Sequence, residues 1–453
     1  MLFEDSKGFL CRTMIVFIII GIALRLIVGT LMSYNYDVFS WTLIISNIQG
    51  GSGLYDVTGY NYPPVWGHFL AILGQFTDML GIDVLAERFP ELIFTESEIA
   101  NNPHLAFTTT LEFNALFSVM IAAFDIVTAY LIYYATKTIL KDERKGLLAS
   151  AFWMLCPFAI IVGTIGPMFD TMSGALVILM MLLLIKDHEF LAGCIFSISI
   201  LLKLFPGFLL FIFIAYIIVK HRDDFIRRIG SAAMGAVMMI AIIMLPQILD
   251  GHVIDSLSFI TNRATTSNAG FGILDSLMPI LTYIVAIIIE IALGFFFYKK
   301  EHTDLDRDFL LFVTAGAMVT LLFPGTPQYI LIGAPLITIM AFAVDFRFKA
   351  ALILFIFGTS MYVLADGASM FTSLMEYSDL LPYDVWYGLD DWMMGTEVAG
   401  LNMYRTFAFI GSFIQYLGVL TSYFLLAERL GWIQCILDRI QQRKSERMDD
   451  APQ

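Results

Sequence analysis

The stretch Tyr34-Asn35-Tyr36-Asp37-Val38-Phe39-Ser40-Trp41 sets one carboxylate among aromatic rings, directly after a long apolar segment. A carboxylate drawn partly out of water binds its proton more tightly, so Asp37 could act as a general base or ligate a divalent cation. A solvated loop acid is the plainer reading of the single residue. Next come Gly50-Gly51-Ser52-Gly53-Leu54-Tyr55 and Tyr60-Asn61-Tyr62-Pro63-Pro64. Their glycines permit a tight turn, and their prolines start a helix without backbone donors. Such a segment either simply turns the chain or shapes a cavity for a polar ring against tyrosines. Three further interruptions break apolar runs: Gly163-Thr164-Ile165-Gly166-Pro167-Met168-Phe169-Asp170, Lys203 before Phe205-Pro206, and Phe323-Pro324-Gly325-Thr326-Pro327-Gln328-Tyr329. Non-helical backbone at membrane depth is tolerated where it is buried in protein or lines a watery cavity. Hairpin turns would look the same. Lys203, Arg263 and Arg405 suit a phosphate approaching along the lipid, or else they snorkel or pair with acids. Arg25, deep in the first apolar run, is open to the same readings.

The elements that position these residues follow from hydropathy. Of 453 residues, 58% are hydrophobic and 15% charged, and the mean hydropathy is +0.79. Soluble domains carry about 25% charged residues, so a soluble enzyme is excluded, and with it disorder, collagen and coiled coil. The net charge of −14 excludes a basic nucleic-acid binder. Cys11, Cys156, Cys194 and Cys435 lie in or beside apolar runs without ligand spacing, which suggests neither a disulfide scaffold nor a zinc site. Runs long enough to span a bilayer core, some with tilt or thinning, lie near 13–33, 63–82, 111–136, 147–163, 171–186, 190–202, 204–220, 229–249, 274–298, 309–323, 328–344, 349–365 and 405–427. The pattern predicts an all-α polytopic membrane protein with about 12 or 13 membrane segments and one transmembrane domain over 1–453. The first run is too long for a signal peptide, so Met1–Leu31 is expected to stay as an anchor.

Basic residues set the orientation. Lys137–Lys145, Lys220–Arg228, Lys299–Arg307, Arg347–Lys349 and Arg439–Arg447 gather in one set of connections, while 34–62 and 366–404 have no Lys or Arg. The basic connections and the tail 428–453 are therefore expected in the cytoplasm, with 34–62 and the acidic 366–404 outside. If 34–62 and 83–110 are both outside, the segment 63–82 cannot cross once: it is re-entrant, or 83–110 lies inside, or a short crossing is hidden there. Trp386 and Trp392 beside the acids of 366–404 suggest an interface-lying element.

The six histidines form no HExxH or HxxxH set, and no nucleotide-binding or nucleophile-elbow motif is present. The order of the remaining motifs resembles the integral-membrane type C glycosyltransferases, nearest the polyprenyl-phosphate-mannose-dependent mannosyltransferases, including the GPI mannosyltransferase I family. The resemblance rests on Tyr36-Asp37-Val38-Phe39, Gly51–Tyr55, Tyr60-Asn61-Tyr62-Pro63-Pro64 and Phe124–Leu131. It continues through Cys156-Pro157-Phe158 with Gly166–Asp170, Leu202–Pro206 and Thr326–Tyr329, in register from about residue 13 to about 345. The family often has Asp-x-Asp where this chain has Asn35-Tyr36-Asp37, and the turn at 163–170 lacks the family's usual Arg.

The resemblance implies a type C fold and an inverting transfer of a hexose, mannose first, from a polyprenyl-phosphate donor to a lipid-linked or protein acceptor at the outer face. It implies Asp37 as catalytic base and Lys203, Arg263 and Arg405 on the donor phosphate. Tyr36, Tyr60, Tyr62, Asp170, Gln328 and Tyr329 would line the sugar or acceptor pocket. No cofactor is required beyond an optional divalent cation, the partners are the donor, the acceptor and the bilayer, and no nucleic acid is involved. The plasma membrane of an archaeon or bacterium is the expected site. A transporter or a flippase for lipid-linked sugars is the competing reading, because broken helices and intramembrane charges serve transport too.

Overall fold

The computed structural model describes residues 6–33, 35–56, 60, 62–86, 108–166, 168–256, 273–319, 329–365, 370–378, 380–434 and 438. The side chains of residues 6, 7, 35, 36, 273–280, 282, 362–364, 372, 383 and 387 lie outside that description. The chain is predominantly helical: α1 (Arg12–Leu31), α2 (Asn35–Gln49), α3 (Pro64–Leu80), α4 (Leu111–Ile139), α5 (Glu143–Leu155) and α6 (Pro157–Ile165) come first. They are followed by α7 (Asp170–Ile185), α8 (Glu189–Leu202), α9 (Leu210–Lys220), α10 (Phe225–Leu249), α11 (Ile273–Lys299), α12 (Leu305–Val319), α13 (Ile330–Ile339) and α14 (Phe348–Leu364). The chain ends through α15 (Thr372–Tyr377), α16 (Tyr383–Gly395) and α17 (Met403–Arg429). The described strands are two antiparallel pairs of two residues each: β1 (Leu85–Ala86) with β2 (Thr108–Thr109), and β3 (Glu397–Val398) with β4 (Leu401–Asn402).

Among the described residues, α1, α4, α10 and α17 are long and apolar enough to cross a membrane. A fifth span is formed if α5 and α6 count as one helix bent by 45°. The bend falls at Pro157, which lacks the N–H and crowds the preceding turn. Several others, α7, α8, α9 and α13 among them, are apolar but shorter. The protein is an all-α integral membrane protein. Helix starts follow local chemistry: Thr110 accepts from the Phe113 N–H, Asp142 from that of Lys145 and Asn402 from that of Arg405. Pro64 opens α3 and Gly81, at φ 65°, closes it.

Segment 63–82 can now be placed. Trp41 packs edge-on against Trp66 near the starts of α2 and α3, at 5.5 Å between ring centres. Near their ends, Gln49 Nε2 donates to the Gly74 carbonyl (3.0 Å) and to Asp78 Oδ1 (2.9 Å). The two helices therefore run side by side in the same direction. Helix α3 is about 25 Å long and makes contacts along the first half of α4. Trp66 touches Phe117 (6.1 Å), and the Asp83 carbonyl accepts from Thr110 Oγ1 (2.5 Å). Phe69 meets Phe124 edge-on at 5.5 Å in the fourth turn of α4, so α3 reaches the middle of that helix. The acidic segment 366–404 likewise holds helices, in which Trp386 is buried against Phe371 (5.1 Å) while Trp392 stays exposed.

Two cores fill the molecule. The larger lies among α4, α5, α7, α9, α12, α13 and α14 around Trp153, Phe158, Met181 and Phe309. The smaller joins α2, α3 and α4 to the start of α7 around Trp41, Trp66, Phe117 and Phe169. Of its readings, Arg25 takes the one that pairs it with an acid. Its Nε lies 2.7 Å from Asp125 Oδ2, both side chains are fully buried, and Trp153 Nε1 donates to the other carboxylate oxygen (3.1 Å). Arg25 Nη1 adds bonds to the Gly21 and Met154 carbonyls (3.1 and 2.6 Å), so the pair ties α1, α4 and α5 together.

Candidate functional site

Helices α7 and α8 form an antiparallel hairpin closed at Lys186–His188, where Asp187 takes φ 60°. Similar lengths return the end of α8 to the start of α7, and Lys203 Nζ there forms an ion pair with Asp170 Oδ1. Both residues are buried, Lys203 at 1% exposure and Asp170 at 0%. Lysine is rarely buried without a partner, because an ammonium taken out of water must recover several kcal/mol. The remaining support is aromatic: Lys203 Nζ lies 4.5 Å from the ring centre of Tyr329 and 5.2 Å from that of Phe169. Rings at this range attract a cation through their negative faces.

Phe169 connects the ion pair to the smaller core. It stacks on Trp66 at 4.6 Å and meets Tyr62 edge-on at 5.4 Å and Trp41 at 6.3 Å. Trp41 also meets Tyr62 at 5.5 Å, and Tyr329 meets Phe205 at 4.7 Å. Tyr60 is buried at 6.2 Å from Tyr62 and donates its hydroxyl to the Pro63 carbonyl (2.8 Å). Burial pushes the Tyr60 phenol well above its usual range, so it acts as a neutral donor. Asp37 stands half-buried in the first turn of α2, one turn before Trp41, and the adjoining Val38 and Phe39 are buried.

The cluster also carries polar atoms with spare capacity. The indole N–H groups of Trp41 and Trp66 are buried and have no acceptor among the described residues, and neither do the hydroxyls of Thr164, Thr171 and Ser173. Each such group costs about 1–3 kcal/mol unless water or a ligand satisfies it.

Structure thus brings Asp170, Lys203, Tyr329, Tyr62 and Tyr60 to one cluster, with Asp37 a helical turn away from it. Lys203 and Asp170, expected in separate roles at the phosphate and the sugar, are each other's partner. Arg405 is exposed on the first turn of α17 and makes no ion pair among the described residues. Arg263, Gln328 and the side chain of Tyr36 lie outside the described residues. Trp41, Trp66 and Phe169 were not among the expected site residues. Their signal was available, since each neighbours a singled-out motif. Among the described residues, Asp187, Glu189 and His221 are near enough to share an ion. They lie at the other end of the α7–α8 hairpin, where Lys220 reaches Asp187 and Arg228 reaches Glu189, each at 2.7 Å. That group is an ion-pair network remote from Asp37.

Fold and site together define a polytopic α-helical membrane protein with a charged, aromatic-walled cluster built from helix ends. No protein-family model matches the chain, and no curated protein matches its sequence.

Proposed function

We propose that the chain is an inverting membrane hexosyltransferase of the type C fold, with about 12 or 13 membrane segments and its site at the extracytoplasmic face of a prokaryotic plasma membrane. In this reading Asp37 takes the proton of the acceptor hydroxyl. The hydroxyl oxygen bonds to the anomeric carbon of the sugar, mannose first, as the bond to the polyprenyl phosphate breaks. Charge growing on the departing phosphate needs electrostatic stabilisation more than covalent help. Lys203 supplies part of it from a charge already shared with Asp170, and Arg263 and Arg405 supply the rest. The donor's phosphate ester holds the energy of transfer, so no nucleotide enters.

The observation that carries the reading is the convergence of Asp170, Lys203, Tyr329 and Tyr62 from four separate sequence motifs around rings with unpartnered indole donors. The test is transfer of labelled mannose from a polyprenyl-phosphate donor by purified protein, with and without a chelator. Asp37→Ala should lower turnover by about a hundredfold or more, the scale of losing a general base. A variant as active as the wild type would remove Asp37 from the mechanism.

One observation favours the transport reading. Glu290, in the middle of α11, is fully buried, and neither carboxyl oxygen has a hydrogen-bond partner among the described residues. Intramembrane acids of this kind mark ion pathways in transporters. Proton-linked flux into proteoliposomes, lost in Glu290→Gln and accompanied by no sugar transfer, would select transport.

A further inference from the structure

Beyond the cluster itself, the structure shows how its covering segment is fastened. Helix α10 ends at Leu249, Gly251 takes φ 80°, and the His252 N–H returns to the Gln247 carbonyl (2.8 Å). That turn presents His252 to two carboxylates at once. Nε2 lies 3.0 Å from Asp56 Oδ1, and Nδ1 lies 2.8 Å from Asp255 Oδ2. A neutral imidazole owns one N–H and would turn its other lone pair against a carboxylate oxygen. Only the imidazolium donates to both.

Asp56 belongs to the Gly50–Asp56 segment, which leads directly into the site. Its Oδ2 accepts from the Gly53 N–H (2.9 Å), closing a local turn. Its neighbour Tyr55 stacks on the His252 ring (6.5 Å), meets Tyr60 (5.4 Å) and donates its hydroxyl to the Tyr62 carbonyl (3.0 Å). Leu54 fills the space over Gly67, where an added Cβ would collide with its side chain. Tyr62 in turn touches Trp41 and Phe169.

We infer that His252 is a proton-dependent positioning residue, whose imidazolium clamps the Gly50–Asp56 segment to the end of α10 and so holds Tyr55 and Tyr62 in place at the site. The groups facing it are Asp56 and Tyr55 from that segment and Asp255 from its own. Among the described residues, its ion pairs are with those two carboxylates. The hydrogen bond to Asp255 and the charge of Asp56 hold its proton affinity above that of an ordinary histidine, against a smaller opposing effect of desolvation. Because the folded state binds the proton more tightly, the clamp is complete at acidic pH and is lost as pH rises through the folded-state value.

Hydrogen–deuterium exchange of the peptides covering 48–66 tests this without any substrate, so its outcome is separate from that of the transfer assay. Full-length protein in nanodiscs is compared between pH 6 and pH 9, after correction for the intrinsic exchange rate. The wild type should lose protection by about tenfold on going to pH 9, the scale of one charge-assisted hydrogen bond. His252→Gln should be weakly protected at both values. Asp56→Asn, which leaves the histidine in place, should also lose the pH step. Wild-type protection unchanged with pH would overturn the clamp, as would a variant keeping the wild-type profile.

Discussion

At the scale of single residues, the Lys203–Asp170 pair makes the sharpest demand on the sequence. Replacing Lys203 by Met strands a carboxylate at 0% exposure, and removing one member of a buried pair costs about 3–5 kcal/mol. Lys203→Met should therefore unfold at markedly lower temperature in detergent. The double variant Lys203→Met/Asp170→Asn should recover most of that loss, because the unpaired charge is gone. Under the transfer reading it should recover no activity, so thermal unfolding and turnover measured on the same samples separate support of the fold from work at the site. A double variant no more stable than the single one would show that the pair is not what stabilises this corner. Each partner stood out in the sequence as a charge beside a helix break. Their partnership did not, because it depends on the short hairpin between them returning to its starting level. Glu290 shows the opposite case: it is one of two acids inside the run 274–298, with Asp275, but its burial against α12, where an added Cβ on Gly316 would meet Glu290 Oε2 at 2.9 Å, is known only from packing.

At the scale of elements, hydropathy located the helices closely, as with run 111–136 against α4 and 229–249 against α10. It could not tell that α3 runs parallel to α2, since composition does not say which helices are neighbours. Side chains at the element ends carry that information. A second example is the corner between α13 and α14. Asp345 is 6% exposed and accepts from the Arg347 N–H (3.0 Å), Arg347 Nε (2.9 Å) and Arg429 Nη2 (2.8 Å), while Arg347 also grips Glu428 through two bonds. The Arg347 hydrogen bonds, assisted by Arg429, hold the Asp345 carboxyl well below the usual range. A depressed value stabilises the fold above the unfolded carboxyl's range, and the contribution fades as pH falls through the folded value. Asp345→Asn should loosen, not release, the end of α17, which Arg347 still holds through Glu428, at a cost of about 2 kcal/mol, the scale of charge-assisted hydrogen bonds. Its stability should then fall less steeply on acidification than that of the wild type, as read from unfolding midpoints at pH 6 and pH 2.

At the scale of the whole molecule, the distribution of Lys and Arg predicts the sidedness of the basic connections and of 34–62 and 366–404. Single cysteines placed at Lys300 and at the 77%-exposed Leu380, in a background without the native cysteines, should react with a membrane-impermeant maleimide from opposite sides. Lys300→Cys should be protected in intact cells and labelled after lysis, whereas Leu380→Cys should be labelled in both. Labelling of both from the same side would overturn the orientation and with it the extracytoplasmic site.

The buried Arg25–Asp125 pair bears on how the chain is made. The two residues are 100 positions apart, and ribosomes add about 5–20 residues per second. Arg25 is therefore synthesised roughly 5–20 seconds before the carboxylate that neutralises it. A guanidinium at the centre of a lone helix costs at least about 2.5–3.5 kcal/mol in lipid. During that interval α1 has reason to linger beside the insertion machinery or to ride displaced toward the surface. It settles at its final depth only when α4 arrives, so the first helix to emerge is not the first to be finished.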